Sequence, residues 1–80
     1  KKFFAKLIEE KNDEYILKLI PKKDDISYNK LILHIDKNTF ATKQMLFYEN
    51  NSLKKEMTYL NFTTIKGYII AKKMIMKSMN

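Results

Sequence analysis

The chain has 80 residues, with 16 Lys, no Arg, nine acidic groups and one His, for a formal net charge of +7. One domain is all this length permits, and such a chain buries only ~60–65% of its unfolded surface. Without Cys there is no disulfide framework, no thiolate nucleophile and no finger-type zinc site. No apolar run approaches the roughly 18 residues of a membrane-spanning helix. The sequence opens on Lys1 with no signal peptide, so a processed product or a fragment of something longer is expected.

The charge is less informative than its size suggests. Lys, Asn and Ile number 16, 7 and 10, a compositional bias that raises the pI without implying a partner. Arg makes the commonest specific base contacts and bidentate phosphate contacts, and it is missing. Residues 1–40 carry a net +2 and residues 41–80 a net +5. The pairs Lys22-Lys23, Lys54-Lys55 and Lys72-Lys73 are scattered and read as solvated faces, with a modest attraction to anionic lipid or acidic partners.

Taken in chain order, the dominant period is two, the signature of strands. Phe3 to Glu10 is a predicted first strand, and Lys11-Asn12-Asp13 a turn. Glu14 to Ile20 is a second strand, ended by Pro21, which cannot donate to a ladder. Residues 21–29 are a polar connection in which Asp25, Ser27 and Asn29 suit caps and turns. Lys30 to Asp36 is a third strand, Asp36 to Thr39 a tight turn, and Thr42 to Tyr48 a fourth strand. Glu49-Asn50-Asn51-Ser52 is the best hairpin signal, because Asn tolerates positive φ. A two-residue loop there pairs Tyr48 with Leu53, whereas a bulged turn at Ser52 shifts the register and the faces. Leu53 to Leu60 is a fifth strand, Thr63 to Ile65 leads into Gly67, and Tyr68 to Ser78 is a long sixth strand, bent near Ala71. Met, Lys and Ala also allow a helix over Lys66 to Met79, but no N-cap stands at Lys66 and Tyr68-Ile69-Ile70 favours strand. The expected fold class is mainly β, a curved antiparallel meander of about six strands.

Catalytic and metal-binding chemistry is thin. His34 stands alone on the face of Ile32, without Cys or converging acids, and reads as a half-exposed strand residue. Ser27, Ser52 and Ser78 lack nucleophile-elbow glycines, and one glycine makes no phosphate loop. Asp25 to Lys30 followed by Asp36 is like a calcium loop, but Lys30 stands where the turn needs Gly. Glu9-Glu10 and Asp13-Glu14 flank a turn as solubilising pairs. No catalytic residue, metal site or cofactor is expected, and the protein is not expected to be an enzyme.

The five Met are more suggestive. Met45, Met57, Met74 and Met76 fall on the last three strands beside Phe47, Tyr48, Tyr59 and Leu60. Met is unbranched and polarizable. It either fills a core or lines an adaptable apolar trough able to take an acyl chain.

The order of segments carries a resemblance. Tyr15 to Lys22 is similar to a Y-x-L-x-L-x-P-K strand ending, and Tyr28 to Lys37 to Y-x-K-[IVL]-x-L-x-[IV]-D-K. Lys43 to Lys54 is similar to a strand, a D-x-[DN]-G turn and a strand. Ile65-Lys66-Gly67-Tyr68-Ile69-Ile70 with Met74 and Met76 is similar to I-x-G-x-x-I-P-x-x-M. Over about residues 13–79 this resembles the LolA-like outer-membrane lipoprotein-sorting family, the periplasmic lipoprotein carriers. Glu49, Ser52 and Ala71 depart from the pattern, where Asp, Gly and Pro are usual.

The resemblance implies an unclosed, strongly curved antiparallel barrel wrapped around helices, of which residues 1–80 form the C-terminal half. It implies a non-enzymatic periplasmic carrier that takes lipoprotein acyl chains or lipid into an apolar cavity for outer-membrane sorting. Inner- and outer-membrane lipoprotein-transport components would be its partners. The candidate contacts are Leu17, Leu19, Leu31, Leu33, Met45, Phe47, Met57, Tyr59, Met74 and Met76. Two alternatives stand beside it. One is a basic β module that stacks single-stranded nucleic acid on Tyr and Phe. The other is a structural sheet that pairs with another chain, or with its own copy, through open edges.

Overall fold

The computed structural model describes residues 3–22 and 28–79. Asp25 and Ser27, and with them the calcium-like loop, lie outside the described residues. Six strands form one sheet: β1 (Phe3–Glu10), β2 (Glu14–Pro21), β3 (Lys30–Asp36), β4 (Thr42–Glu49), β5 (Ser52–Ile65) and β6 (Tyr68–Ser78). Their spatial order is their sequence order, every pairing is antiparallel, and the sheet is not closed into a barrel. The expected all-β meander is what the chain forms, with no helix over residues 66–79.

The alternation of residue types explains the strands, and positive φ explains the turns. Asn50 (φ 52°) and Asn51 (φ 66°) form a two-residue hairpin loop that pairs Tyr48 with Leu53 and Glu49 with Ser52. Positive φ at both central positions matches the right-handed twist of the strands, and Asn is the non-glycine residue that bears it best. Lys66 (φ 52°) and Gly67 (φ 84°) repeat the geometry between β5 and β6, joining Ile65 to Tyr68. At the β3–β4 turn the Asp36 carboxylate accepts from the backbone N–H groups of Asn38 (2.8 Å) and Thr39 (2.9 Å). This local bonding holds its carboxyl below the usual range. Phe40 closes the turn at φ 62°, and its N–H donates to the Asp36 carbonyl at 2.8 Å.

β5 runs on past the expected end at Leu60 to Ile65. Asn61 (φ 55°) interrupts it without breaking the ladder, because Leu60 still faces Lys73 and Phe62 faces Ala71. Ala71, where a bend is expected, pairs with Phe62, the residue after this left-handed Asn. Register shifts at Ile8, Lys43 and Lys54 add an unpaired residue to β1, β4 and β5. Bulges of this kind increase local twist. The result is a curled sheet: six flat strands span about 24 Å and are thin in the third direction, whereas the Cα extents are 37 × 26 × 24 Å.

No second layer packs on the sheet among the described residues. Ile16, 6% exposed, is the one buried apolar side chain there. A sheet ordinarily buries at least one face against another layer, so this one presents a face that asks for a cover.

Candidate functional site: an apolar face

Residues directly opposite one another in an antiparallel pair point to the same side. Following the register across the sheet gives one row through all six strands: Leu7, Leu17, Leu33, Met45, Met57 and Met76. A parallel row runs Ala5, Leu19, Leu31, Phe47, Lys55 and Ser78. Tyr59 stands opposite Met74, two residues along from Met57 and Met76. All ten candidate contacts therefore share one face. The two on the edge strand are the barest, Met74 at 59% and Met76 at 60% exposed. The other eight are half-buried.

Aromatic and cationic side chains edge this face. The Tyr28 and Phe47 rings meet at 5.1 Å, and the Lys55 ammonium lies 4.4 Å from the Phe47 centroid and 5.4 Å from that of Tyr28. A cation over a ring is attracted by the ring quadrupole, so Lys55 lies along the aromatics in the middle of an apolar row. Towards the β3–β4 turn, Phe40 stacks on Tyr15 at 6.4 Å, and Lys37 pairs with Glu10 over the same Tyr15 ring.

The opposite face is mixed: Ile16, Ile32, Leu46 and Ile75 stand on it around a polar cluster. Glu14 is the hub: His34 Nδ1 donates to its Oε1 at 2.8 Å, and Lys43 Nζ lies 2.9 Å from its Oε2. These two donors hold the Glu14 carboxyl down to about 2, and Glu14 in turn raises the Lys43 ammonium. Gln44 donates to Glu56 at 3.2 Å alongside. Two grooves open here, of about 320 and 350 Å³. The first lies between Asp36, Lys43, Phe62 and Ile69, and the second between Glu14, His34, Thr58 and Phe62, with Tyr59 at its margin.

From sequence alone Glu14 reads as a solubilising acid and His34 as a lone strand residue. The structure instead binds the two together and shields Glu14. The signal for this lay in the register, since Ile16 pairs with His34 and sets Glu14 one step along from it. Among the described residues no cluster of His, Cys, Asp and Glu is placed to hold a metal ion.

A family model described as an uncharacterized protein matches residues 1–80, the whole chain. No curated protein matches the sequence. Three solved structures superpose on it. An outer-membrane lipoprotein-sorting protein domain from Vibrio parahaemolyticus is 25% identical, with a TM-score of 0.88 over 96% of this chain and 35% of that one. A LolA superfamily protein from Nitrosomonas europaea is 27% identical, with a TM-score of 0.80 over 96% of this chain and 37% of that one. A DUF1329 family protein from Desulfovibrio piger is 23% identical, with a TM-score of 0.88 over 96% and 35%, a likeness of fold.

The open antiparallel meander is thus similar to a sheet found in an outer-membrane lipoprotein-sorting protein domain and in a LolA superfamily protein. The chain belongs to the family whose model spans it, and its fold is similar to that of the LolA-like outer-membrane lipoprotein-sorting proteins. It spans about a third of the length of the solved structures it matches.

Proposed function

We propose that residues 1–80 form the wall of an apolar cavity in a periplasmic, non-enzymatic carrier of lipoprotein acyl chains or lipid. The observation that supports this most directly is the row Leu7, Leu17, Leu33, Met45, Met57 and Met76, apolar in every strand of a Lys-rich chain. Such a row is costly to leave in water. Covering it with acyl chains gains ~25 cal/mol for each Å² removed from solvent. Met at four of the ten positions suits a cargo without fixed shape, because the thioether chain has three rotatable bonds and adapts to irregular partners. No bond is made or broken in this mechanism. Loading is transfer of apolar area into the wall, and release is its reversal at a transport partner in the membrane.

The experiment is native mass spectrometry of the native-length protein purified from a periplasmic extract. A co-purifying acyl-bearing species, lost on substitution of Met57 by Asp, is the expected result. Repeated isolation free of any acyl species would overturn the reading. The open outer edges of β1 and β6 favour one further reading, pairing with another strand. That reading predicts a concentration-dependent mass by light scattering.

A further inference from the structure

Turns are usually polar; the β4–β5 turn follows that habit with Asn50 and Asn51, and the β3–β4 turn does so with Asp36 and Asn38, Phe40 apart. The β5–β6 hairpin does not. Ile65 and Tyr68 face each other across its two-residue turn at 51% and 74% exposed, and Phe62, Ile69 and Ile70 stand bare just behind them. From Met57 onward the charges on this arm have one sign. From Met57 to Asn80 there are four Lys and no acid: Lys66 at the turn itself, then Lys72, Lys73 and Lys77. At ~3.3 Å per residue, Lys72 and Lys73 lie about 13–17 Å behind Tyr68 along the strand.

We propose that the tip of the β5–β6 hairpin docks the protein on an anionic lipid bilayer surface. Ile65, Tyr68 and the Ile69-Ile70 pair enter the boundary between head groups and acyl chains, where apolar tips sink ~5–10 Å. Tyr suits that depth, with an apolar ring and a hydroxyl that stays wet. Lys66 reaches back to the phosphates along its own stem. Lys72 and Lys73 remain outside, within reach of the negative surface potential. Charge complementarity selects a lipid surface over a protein groove. Beyond Glu56, which stands opposite Lys77, the arm has no acid to offer a partner's basic groups, whereas a sheet of anionic phosphates attracts Lys66, Lys72 and Lys73 together. The proposal goes beyond cargo binding, because the arm's tip lies at the end of the sheet and none of the ten cargo-facing candidates belongs to it.

The test is sedimentation of the native-length protein with vesicles of phosphatidylcholine, alone or with about a third phosphatidylglycerol. Expected is at least roughly tenfold stronger partition onto the anionic vesicles. The double variant Ile65→Ser with Tyr68→Ser should lose it, and Phe40→Ser, another bare aromatic at a different turn, should keep it. Tyr68→Trp puts another aromatic ring at an exposed position and adds a reporter. Its added fluorescence should shift blue and be quenched by brominated acyl chains. Equal binding to both vesicle types, unchanged binding by the double Ser variant, or an indole reporter at position 68 that stays unquenched each overturns the proposal. Acyl cargo seen by mass spectrometry is independent of all three, so failure here leaves the carrier reading standing.

Discussion

Glu14 of β2 and His34 of β3, twenty residues apart, meet through a 2.8 Å hydrogen bond on the face opposite the methionine row. The second oxygen of the same carboxylate takes the ammonium of Lys43 from β4. Three adjacent strands are therefore cross-tied through one side chain. In the folded state its carboxyl sits at about 2, against an ordinary value of 4.5. Between those values the folded chain binds fewer protons than the unfolded one, so this contribution is complete above about pH 4.5 and is lost as pH falls towards 2. The urea midpoint of the native-length protein should fall over that range. Glu14→Gln, which keeps the shape and loses the charge, should flatten this part of the acid limb. An acid limb identical in the variant would sink the assignment.

The sidedness of the sheet makes a sharper forecast for cargo. Met57→Asp places a charge in the centre of the apolar rows and should abolish acyl co-purification. Ile75→Asp lies one residue from Met76 but on the opposite face, and should leave the cargo in place. Equal losses from the two variants would show that the face does not decide binding.

Gly67 sits at φ 84° with nothing within 4 Å of where a Cβ would stand. Gly67→Ala should therefore cost only the conformational penalty of a left-handed L-residue, about 1–2 kcal/mol, with no steric clash. Asn51→Gly should be neutral or slightly stabilising, since Asn51 already holds φ 66°. Denaturant midpoints with unchanged m-values would establish both.

Lys55→Met retains the stem lying along Phe47 and Tyr28 and removes the ammonium. The expected loss is about 0.5–1 kcal/mol, the scale of an exposed cation–π contact. It should exceed the loss from Lys54→Met, since Lys54 sits at the neighbouring bulge. Equal losses at the two positions would remove the aromatic contact as the cause.

The six strands and their order were legible because period-two alternation is local. A strand such as Lys30–Asp36 declares its two faces in seven letters. For the same reason the ten cargo candidates emerge on one side, since each strand's alternation needed only a register to align it. The length of β5 was not legible. Asn61 and the polar Thr63-Thr64 resemble a terminus, and only the ladder with β6 carries the strand through them. The bulges at Lys43 and Lys54 were hidden too, because an unpaired residue is defined by both strands. The Glu14 cluster belongs to this second kind. Its members gain meaning only when β2, β3 and β4 are laid side by side.

Among the described residues each strand hydrogen-bonds only to its neighbours in the chain. Every contact between strands therefore closes a short loop, and short loops cost little entropy. Such a sheet can be assembled vectorially: a chain crossing a membrane amino end first can complete each hairpin as its second strand emerges. The newest strand is always the template for the next, so the sheet grows in the order of its synthesis without waiting for distant partners.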